Sequence, residues 1–179
     1  MQPSTPYKQF TYEGCLPVCL LALSGEDISL DKEVEIITDG FKNGKNFYVL
    51  AILEAFSKRY IKKLTIYVHT KFYTDYLRKN LTVSLRNRID FIYMPIRKNF
   101  INQLTSPYIL YIDDYKISFQ SFSIHAPHFV LVESRTSQFF YVSNPLTGEK
   151  IKIKQEKLFK AINSLWKYLK FCPLLIKLV

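Results

Sequence analysis

An unbroken run of apolar residues, 16–23, is the feature of this sequence that most constrains the fold. Pro17 stands where the first turn of a helix tolerates a missing N–H, and Gly25 stands where a helix typically ends. The run therefore predicts a buried helix that begins at Cys15. The free N–H groups and partial positive charge of a helix N-terminus stabilise a thiolate, so Cys15 is a candidate nucleophile with a lowered pKa. The alternative is a cysteine that serves as a small core hydrophobe.

The hydrophobic periodicity of the remaining chain changes from helical to strand-like. Helical spacing covers 29–37 and 46–60, with Ser29 or Asp31 and then Asn46 as caps. Later segments are predicted as strands at 64–69, 89–94, 108–112, 128–133, 138–144, 149–154 and 174–179, and as helices at 71–85, 97–104 and 157–169. Residues 116–122 are either an edge strand or a loop. This order predicts a single α+β domain, 1–179, in which N-terminal helices pack against a mainly antiparallel sheet.

Composition excludes several classes of protein. Hydrophobic residues make up 48% of the chain, which is too many for a disordered protein. No apolar run approaches the length of about 18 residues that a membrane span needs, and the polar residues 1–10 carry no secretory signal. Three cysteines without CxxC or zinc spacing predict neither a disulfide framework nor a metal site. We therefore expect a cytoplasmic protein without a metal or cofactor.

The formal charge of +10 suggests an acidic partner, such as nucleic acid. The lysines and arginines are scattered and form no long block, which is typical of solvated faces. Nucleic-acid binding is therefore an alternative and not the favoured function. No pattern in the sequence specifies an oligomeric state.

Two of the predicted strands form a hairpin that brings a histidine close to an asparagine. With a turn at 134–137, opposing residue numbers sum to about 271, so His128 lies opposite Ser143 and next to Asn144. Directly paired Cβ atoms lie roughly 5 Å apart. An imidazole–amide contact is therefore expected, in this register or in one shifted by a single residue.

A thiol, an imidazole and a carboxamide together have the chemistry of a nucleophilic site. The thiolate of Cys15 would attack a carbonyl carbon, and the imidazole of His128 would accept and return the proton. The Asn144 amide oxygen would hold the imidazole tautomer and ring orientation. The Gln9 side-chain amide and the backbone N–H of Cys15 would donate to the developing oxyanion.

Other residues compete for these roles. His125 is the alternative base, although it precedes Pro127 in a predicted loop. Asp113 and Asp114 are alternative orienters or contacts for a basic substrate, and such a pair is also typical of a solvated turn. Cys19 and Cys172 are interpreted as core residues.

The spacing Gln-x5-Cys-x-Pro-x-Cys at 9–19 resembles the opening of papain-like cysteine peptidases, in particular the double-glycine leader peptidases of bacteriocin export. That branch usually has Asp-Cys-Gly-Pro at the nucleophile, a later His-Phe/Tyr-Val-Val-Val strand and an Asn/Asp-Pro-x-x-Gly turn before a closing helix. This sequence has Glu-Gly-Cys-Leu-Pro at 13–17, His-Phe-Val-Leu-Val at 128–132 and Asn-Pro-Leu-Thr-Gly at 144–148. Gly14 and Leu16 thus depart from the usual pattern.

The resemblance implies a papain-like fold and hydrolysis of a peptide or amide bond through a thioester intermediate. It assigns Cys15, His128, Asn144 and Gln9 the roles given above, and the expected partner is a peptide or protein substrate. Two alternatives remain. One is a papain-fold acyltransferase, transglutaminase-like or phytochelatin-synthase-like, and the other is a non-catalytic basic binding domain on the same fold.

Overall fold

The protein is α+β, as predicted, in a computed structural model that describes residues 7–42, 47–117 and 124–179. These ranges contain six α-helices, α1–α6, at Cys15–Ser24, Leu30–Lys42, Tyr48–Tyr60, Lys71–Asn80, Lys98–Ile101 and Gln155–Leu169. They also contain seven strands, β1–β7, at Leu64–Val68, Ile89–Tyr93, Tyr108–Asp113, Pro127–Arg135, Phe139–Asn144, Glu149–Lys154 and Leu174–Leu178. Two short 3-10 helices occupy Val83–Leu85 and Asp114–Lys116. None of the helices in the described ranges is long and apolar enough to cross a membrane.

The seven strands form one mixed sheet in the order β2-β1-β7-β3-β4-β5-β6. Only β1 and β2 pair in parallel, and the other neighbours in the sheet pair antiparallel. The mainly antiparallel sheet predicted from the sequence is therefore confirmed. Strands β2 and β6 are its two edges.

Hydrophobic residues fill both faces of the sheet. On one face, Phe129 and Leu131 of β4 pack in a cluster with residues of α1 and α3. On the other, Val130 and Val132 of the same strand pack in a cluster with residues of α6. Since side chains alternate along a strand, β4 is buried on both sides, which explains its nearly continuous apolar sequence.

Helix α1 agrees with the prediction made from its apolar run. It begins at Cys15 after an N-cap at Gly14, and Gly25 ends it with a left-handed backbone, φ 74°. Pro17 lies in the first turn, and residues 16–21 are all buried. Burying a leucine side chain contributes about 1.5–3 kcal/mol, so this run anchors the helix in the core.

Several predicted boundaries differ from those in the structure. Helix α4 ends at Asn80 and not at residue 85, because the chain turns there and the backbone N–H and hydroxyl of Thr82 both bond to the buried carboxylate of Glu54 (2.8 Å each). The N-cap of α3 is Phe47. The predicted cap Asn46 and most of the segment 116–122 lie outside the described residues.

The predicted register of the β4–β5 hairpin is wrong. The turn closes between Thr136 and Phe139, whose N–H and C=O are 2.8 Å apart, and not at 134–137. A bulge at Glu133 shifts the register again, so that Leu131 and not His128 pairs with Ser143. The sequence does not locate this bulge, because β4 is apolar on both faces and shows no alternation that an extra residue would visibly shift.

Candidate active site

His128 and Asn144 form a buried hydrogen-bonded pair. His128 is near the start of β4, where it pairs with Ile112 of β3, and Asn144 ends the neighbouring strand β5. The register places Asn144 opposite Val130, two residues from His128, so the two side chains lie diagonally on one face. His128 Nε2 is 2.8 Å from Asn144 Oδ1, and the side chains are 6% and 1% exposed. The predicted contact exists, although in a different register.

A second bond to the Asn144 oxygen determines the tautomer of the histidine. The backbone N–H of Leu146 donates to Asn144 Oδ1 at 2.9 Å, which fixes this atom as an acceptor. His128 Nε2 must therefore be the donor in the pair. The unprotonated Nδ1 remains as the basic atom, which is the state that a general base requires.

Burial also keeps this imidazole neutral. Desolvation lowers the pKa of His128, while the nearby carboxylate of Asp114 and the hydrogen bond to Asn144 act in the opposite direction. Asp114 responds reciprocally: burial raises the pKa of its carboxyl, and the neighbouring histidine lowers it. One carboxylate oxygen, Asp114 Oδ1, is buried without a hydrogen-bond partner among the described residues.

Cys15 is the first residue of α1, and its thiol is more basic than the sequence suggests. Burial raises the pKa of the thiol to about 11. Backbone hydrogen bonds at Phe129, Leu16 and Cys15 itself lower it, and the charge of Glu33 raises it slightly. The expected stabilisation by the helix N-terminus is therefore present, but desolvation outweighs it. The expectation of a lowered pKa is wrong, and the resting group is a neutral thiol.

The thiol lies next to the backbone that carries the histidine. Phe129, whose backbone hydrogen bonds to the Cys15 sulfur, directly follows His128 in β4. Alternation along the strand directs the His128 side chain to the α6 face, whereas Cys15 packs with the α1 cluster on the other face. The two groups thus approach the same end of β4 from opposite sides. Among the described residues, no hydrogen bond joins the Cys15 sulfur to the imidazole.

Gln9 lies in the loop that precedes α1, and its amide is bonded within that loop. Its Nε2 donates to the carbonyls of Thr11 (2.8 Å) and Tyr12 (3.2 Å). Its backbone N–H donates to Pro145 O at 2.7 Å, which ties this loop to the turn after Asn144. The structure therefore brings Gln9 to the site but directs its N–H groups at its own backbone.

Glu33 of α2 is part of the site, and sequence reasoning missed it. Its side chain is fully buried and accepts hydrogen bonds from Phe10 N (2.9 Å), Thr11 N (2.7 Å) and Thr11 Oγ1 (2.5 Å). A Cβ at Gly14 would lie 2.0 Å from Glu33 Oε1, so only glycine fits before the nucleophile. The available signal was helical spacing, because Glu33 shares the buried face of α2 with Ile36 and Gly40.

Two tyrosines contribute to the surroundings of the thiol. Tyr48 of α3 donates its hydroxyl hydrogen to Glu13 O, which holds the residue before Gly14. The Tyr111 ring stacks on Phe129, with centroids 4.2 Å apart and planes at 13°. Burial is the main cause that raises the pKa of both phenols, and the neighbouring Cys15 contributes. Both phenols are therefore neutral.

The alternative candidates form a separate cluster. His125 Nδ1 lies 2.5 Å from the fully buried Asp113 Oδ2, which also accepts from the Ser164 hydroxyl. The rings of Tyr115 and Tyr168 flank the imidazole at 4.6 and 4.5 Å. Asp113 thus orients His125 and not His128.

The two other cysteines are core residues in the structure. Cys19 is buried and directs its sulfur at Phe129 O, 3.6 Å away. Cys172 is 7% exposed and lies 3.6 Å from the Thr70 hydroxyl. Both agree with the interpretation from sequence.

Two comparisons with known proteins, by family model and by curated sequence, add no relative to this picture. No model of a protein family matches the sequence, and a search of curated proteins finds no significant match. The geometry of the site therefore carries the functional argument by itself.

Proposed function

We propose that this protein is a cysteine peptidase of papain-like fold that hydrolyses a peptide or amide bond through Cys15, His128 and Asn144. The observation that carries the proposal is the buried His128–Asn144 pair, with Nε2 donating and Nδ1 left basic, beside a helix that begins at a cysteine. A general base requires a fixed tautomer and an unprotonated ring nitrogen that is free to accept a proton. A histidine with only a structural role requires neither.

The chemistry starts from two neutral partners. As the substrate carbonyl approaches, His128 Nδ1 accepts the thiol proton, and the sulfur forms a bond to the carbonyl carbon. Collapse of the tetrahedral intermediate expels the amine, which takes the proton from the imidazolium and leaves a thioester on Cys15. Water, deprotonated by the same nitrogen, then attacks the thioester and releases the acid, which restores the thiol.

The proposed first step needs Cys15 Sγ and His128 Nδ1 within hydrogen-bond reach when substrate is bound. Strand β5 ends at Asn144, opposite Val130, so the two groups can meet beside the start of β4 without crossing the sheet. The backbone N–H of Cys15 and the Gln9 amide are the proposed oxyanion donors. Gln9 would exchange its longer bond, to Tyr12 O, for one to the substrate oxygen, which is consistent with the looser geometry of sites without substrate.

A binding domain whose triad is idle is the second candidate. The observation that favours it is the thiol pKa of about 11, because at neutral pH very little thiolate exists without help from the base. The two candidates differ in whether His128 accelerates reactions at Cys15.

Labelling with a peptidyl vinyl sulfone, read by mass spectrometry, tests the proposal. We expect modification at Cys15 in the native protein, with a rate that falls about 10²–10⁴-fold in a His128→Ala variant because base catalysis is lost. Cys172→Ala is the matched control and should label at the native rate. Equal rates in the native protein and in His128→Ala would establish the idle-triad candidate and exclude the peptidase.

A further inference from the structure

Strand β2 forms an open edge of the sheet, far from the candidate active site. Among the described strands, it pairs with β1 alone. Backbone hydrogen bonds at its two ends show that the backbone polar groups of Arg88 and Met94 face β1. Alternate residues of a parallel strand face the neighbour, so Ile89, Phe91 and Tyr93 direct their N–H and C=O groups outward. Within the described residues, no other strand covers these groups.

Basic side chains surround this edge. Two adjoining cavities, of 430 and 180 Å³, share Arg86, Ile89 and Asp90. Their basic lining residues, together with the outward backbone of β2, define what we call the β2 edge patch: Lys63, Arg78, Lys79, Arg86 and Arg88. Asp90 is the acidic side chain among the lining residues. The patch therefore combines backbone groups that can pair with a further strand and an excess of positive charge.

Most of the basic side chains in the β2 edge patch form no ion pair or hydrogen bond with the described residues. Arg88 donates to Ser57 O at 3.4 Å. The other four basic side chains have neither an ion pair nor a side-chain hydrogen bond with any described residue. An uncompensated cluster of this kind attracts a negatively charged partner.

The opposite edge of the same sheet provides an internal comparison. On β6, Lys150 bonds to Glu133 at 2.9 Å, and Lys152 lies over the Phe139 ring at 4.2 Å. These lysines of β6 are thus engaged within the chain. Charged side chains on an edge strand normally prevent it from pairing with other chains. Strand β6 carries three lysines of its own, whereas β2 carries neither lysine nor arginine.

We propose that the β2 edge patch binds an extended acidic segment of a polypeptide, which adds to the sheet as a strand beside β2. The outward N–H and C=O groups would pair with the backbone of the segment, and the arginines and lysines would pair with its carboxylates. A nucleic acid has no backbone donors and acceptors at strand spacing, so the open edge favours a peptide. The charge of the patch also repels further copies of this basic chain. Binding here is independent of the chemistry at Cys15.

Fluorescence anisotropy with a defined peptide tests this inference. The probe is a labelled, capped peptide of about eight residues that alternates valine and glutamate, which is enough to cover a strand. We expect saturable binding that weakens at least about tenfold when Arg78→Glu and Arg86→Glu are combined, because two attractions become repulsions. Lys152→Glu combined with Lys154→Glu on β6 is the matched control because it also reverses two charges, and its affinity should stay near the native value.

Two further probes separate the alternatives. A version of the peptide with N-methyl groups on alternate residues keeps its charge but cannot donate to the edge, and we expect it to bind at least about tenfold more weakly. The proposal is wrong if the methylated peptide binds as tightly as its parent, or if the parent does not bind. A single-stranded oligothymidylate that binds more tightly than the peptide, and loses affinity steeply with salt, would identify a nucleic-acid surface instead. Unchanged circular dichroism verifies that the variants are folded.

Discussion

At the residue scale, a single oxygen atom connects the fold to the proposed chemistry. Asn144 Oδ1 accepts from both Leu146 N and His128 Nε2, so a backbone bond in the turn fixes the proton on the imidazole. An amide suits this position because it accepts without adding charge. The imidazole then remains neutral, which is the form that its burial favours.

Replacement of this amide by a carboxylate should change the pH dependence of labelling at Cys15. Asn144→Asp keeps both hydrogen bonds but places a negative charge beside Nε2, which stabilises the imidazolium and raises the pKa of His128. Since the neutral form is the base, the acid limb of the labelling rate should move to higher pH. The vinyl sulfone rate measured from about pH 5 to 9 shows this shift, and an acid limb at the native position would mean that His128 is not the base.

Gly14 is the residue whose replacement should most disturb the nucleophile loop. The Cβ of Gly14→Ala would meet Glu33 Oε1 at 2.0 Å and Gln9 Cβ at 2.9 Å. Glu33 cannot move without breaking its bonds to Phe10 and Thr11, so we expect a loss of about 1–3 kcal/mol in the free energy of unfolding.

A second substitution isolates the cause of that loss. Glu33→Asp shortens the carboxylate and makes room for the new methyl group, so Gly14→Ala should cost less in its presence than alone. Urea unfolding of the four proteins of this cycle measures the coupling. Additive losses would show that the clash with Glu33 is not what excludes alanine.

At the element scale, two helices end with a left-handed backbone, one at a glycine and the other at an isoleucine. Gly25 ends α1 with a positive φ at no steric cost, whereas α3 ends at Ile61 with φ 54°. A β-branched residue pays about 1–2 kcal/mol for this left-handed backbone. Ile61 is also 70% exposed, so it gains little from burial.

Ile61→Gly should therefore stabilise the protein. We expect a gain of about 1 kcal/mol, since relief of the left-handed backbone outweighs the added entropy of glycine in the unfolded chain. The midpoint of urea unfolding measures the effect. Ile61→Ala is the control: it removes the same side chain but keeps the Cβ, and a similar gain there would attribute the effect to the side chain and not to the backbone.

At the scale of the whole molecule, the candidate active site and the β2 edge patch lie at different parts of the sheet. The buried histidine pair lies at β4 and β5, and the unpaired cations lie at β2. Four strand spacings separate β2 from β4, or roughly 19 Å. An acidic segment bound at the β2 edge patch would leave the candidate active site open to the same or another chain.

The stability of the protein should fall as the pH drops below about 6.5. His128 and His69 both have lowered pKa values in the folded protein, mainly through burial, whereas both take the ordinary value of 6.5 when unfolded. Below that pH the unfolded chain binds more protons, so acid favours unfolding by up to about 1.4 kcal/mol per pH unit for each fully buried histidine. The partly exposed His69 contributes less.

Urea unfolding between about pH 7.5 and 5.5 measures this slope. Asp114 has the opposite effect on stability, because its pKa is raised from 3.8 in the folded protein and its protonation therefore favours folding. The measured pH range is therefore kept above the range in which carboxyl groups titrate. His128→Asn should reduce the slope by more than His69→Asn does. A native slope near zero across this window would show that His128 accepts a proton without a cost to the fold.

The sequence by itself determined which segments form elements and which residues are chemically special. The apolar run predicted α1 because an uninterrupted apolar stretch with Pro17 and Gly25 in place has few other stable conformations. Alternation predicted β4 and β5, and the types of Cys15, His128 and Asn144 specified what they can do. All of this depends on local spacing, which the sequence displays directly.

Only the tertiary structure decided how these residues meet. The bulge at Glu133 set the register, and the packing of α1 against β4 placed the thiol on the face opposite the imidazole. Burial reversed the expected direction of the Cys15 pKa, because desolvation depends on what surrounds a group and not on its neighbours in sequence. The same holds for Glu33, which only the fold brings against Gly14, and for the cations of the β2 edge patch, which come from three separate segments of the chain.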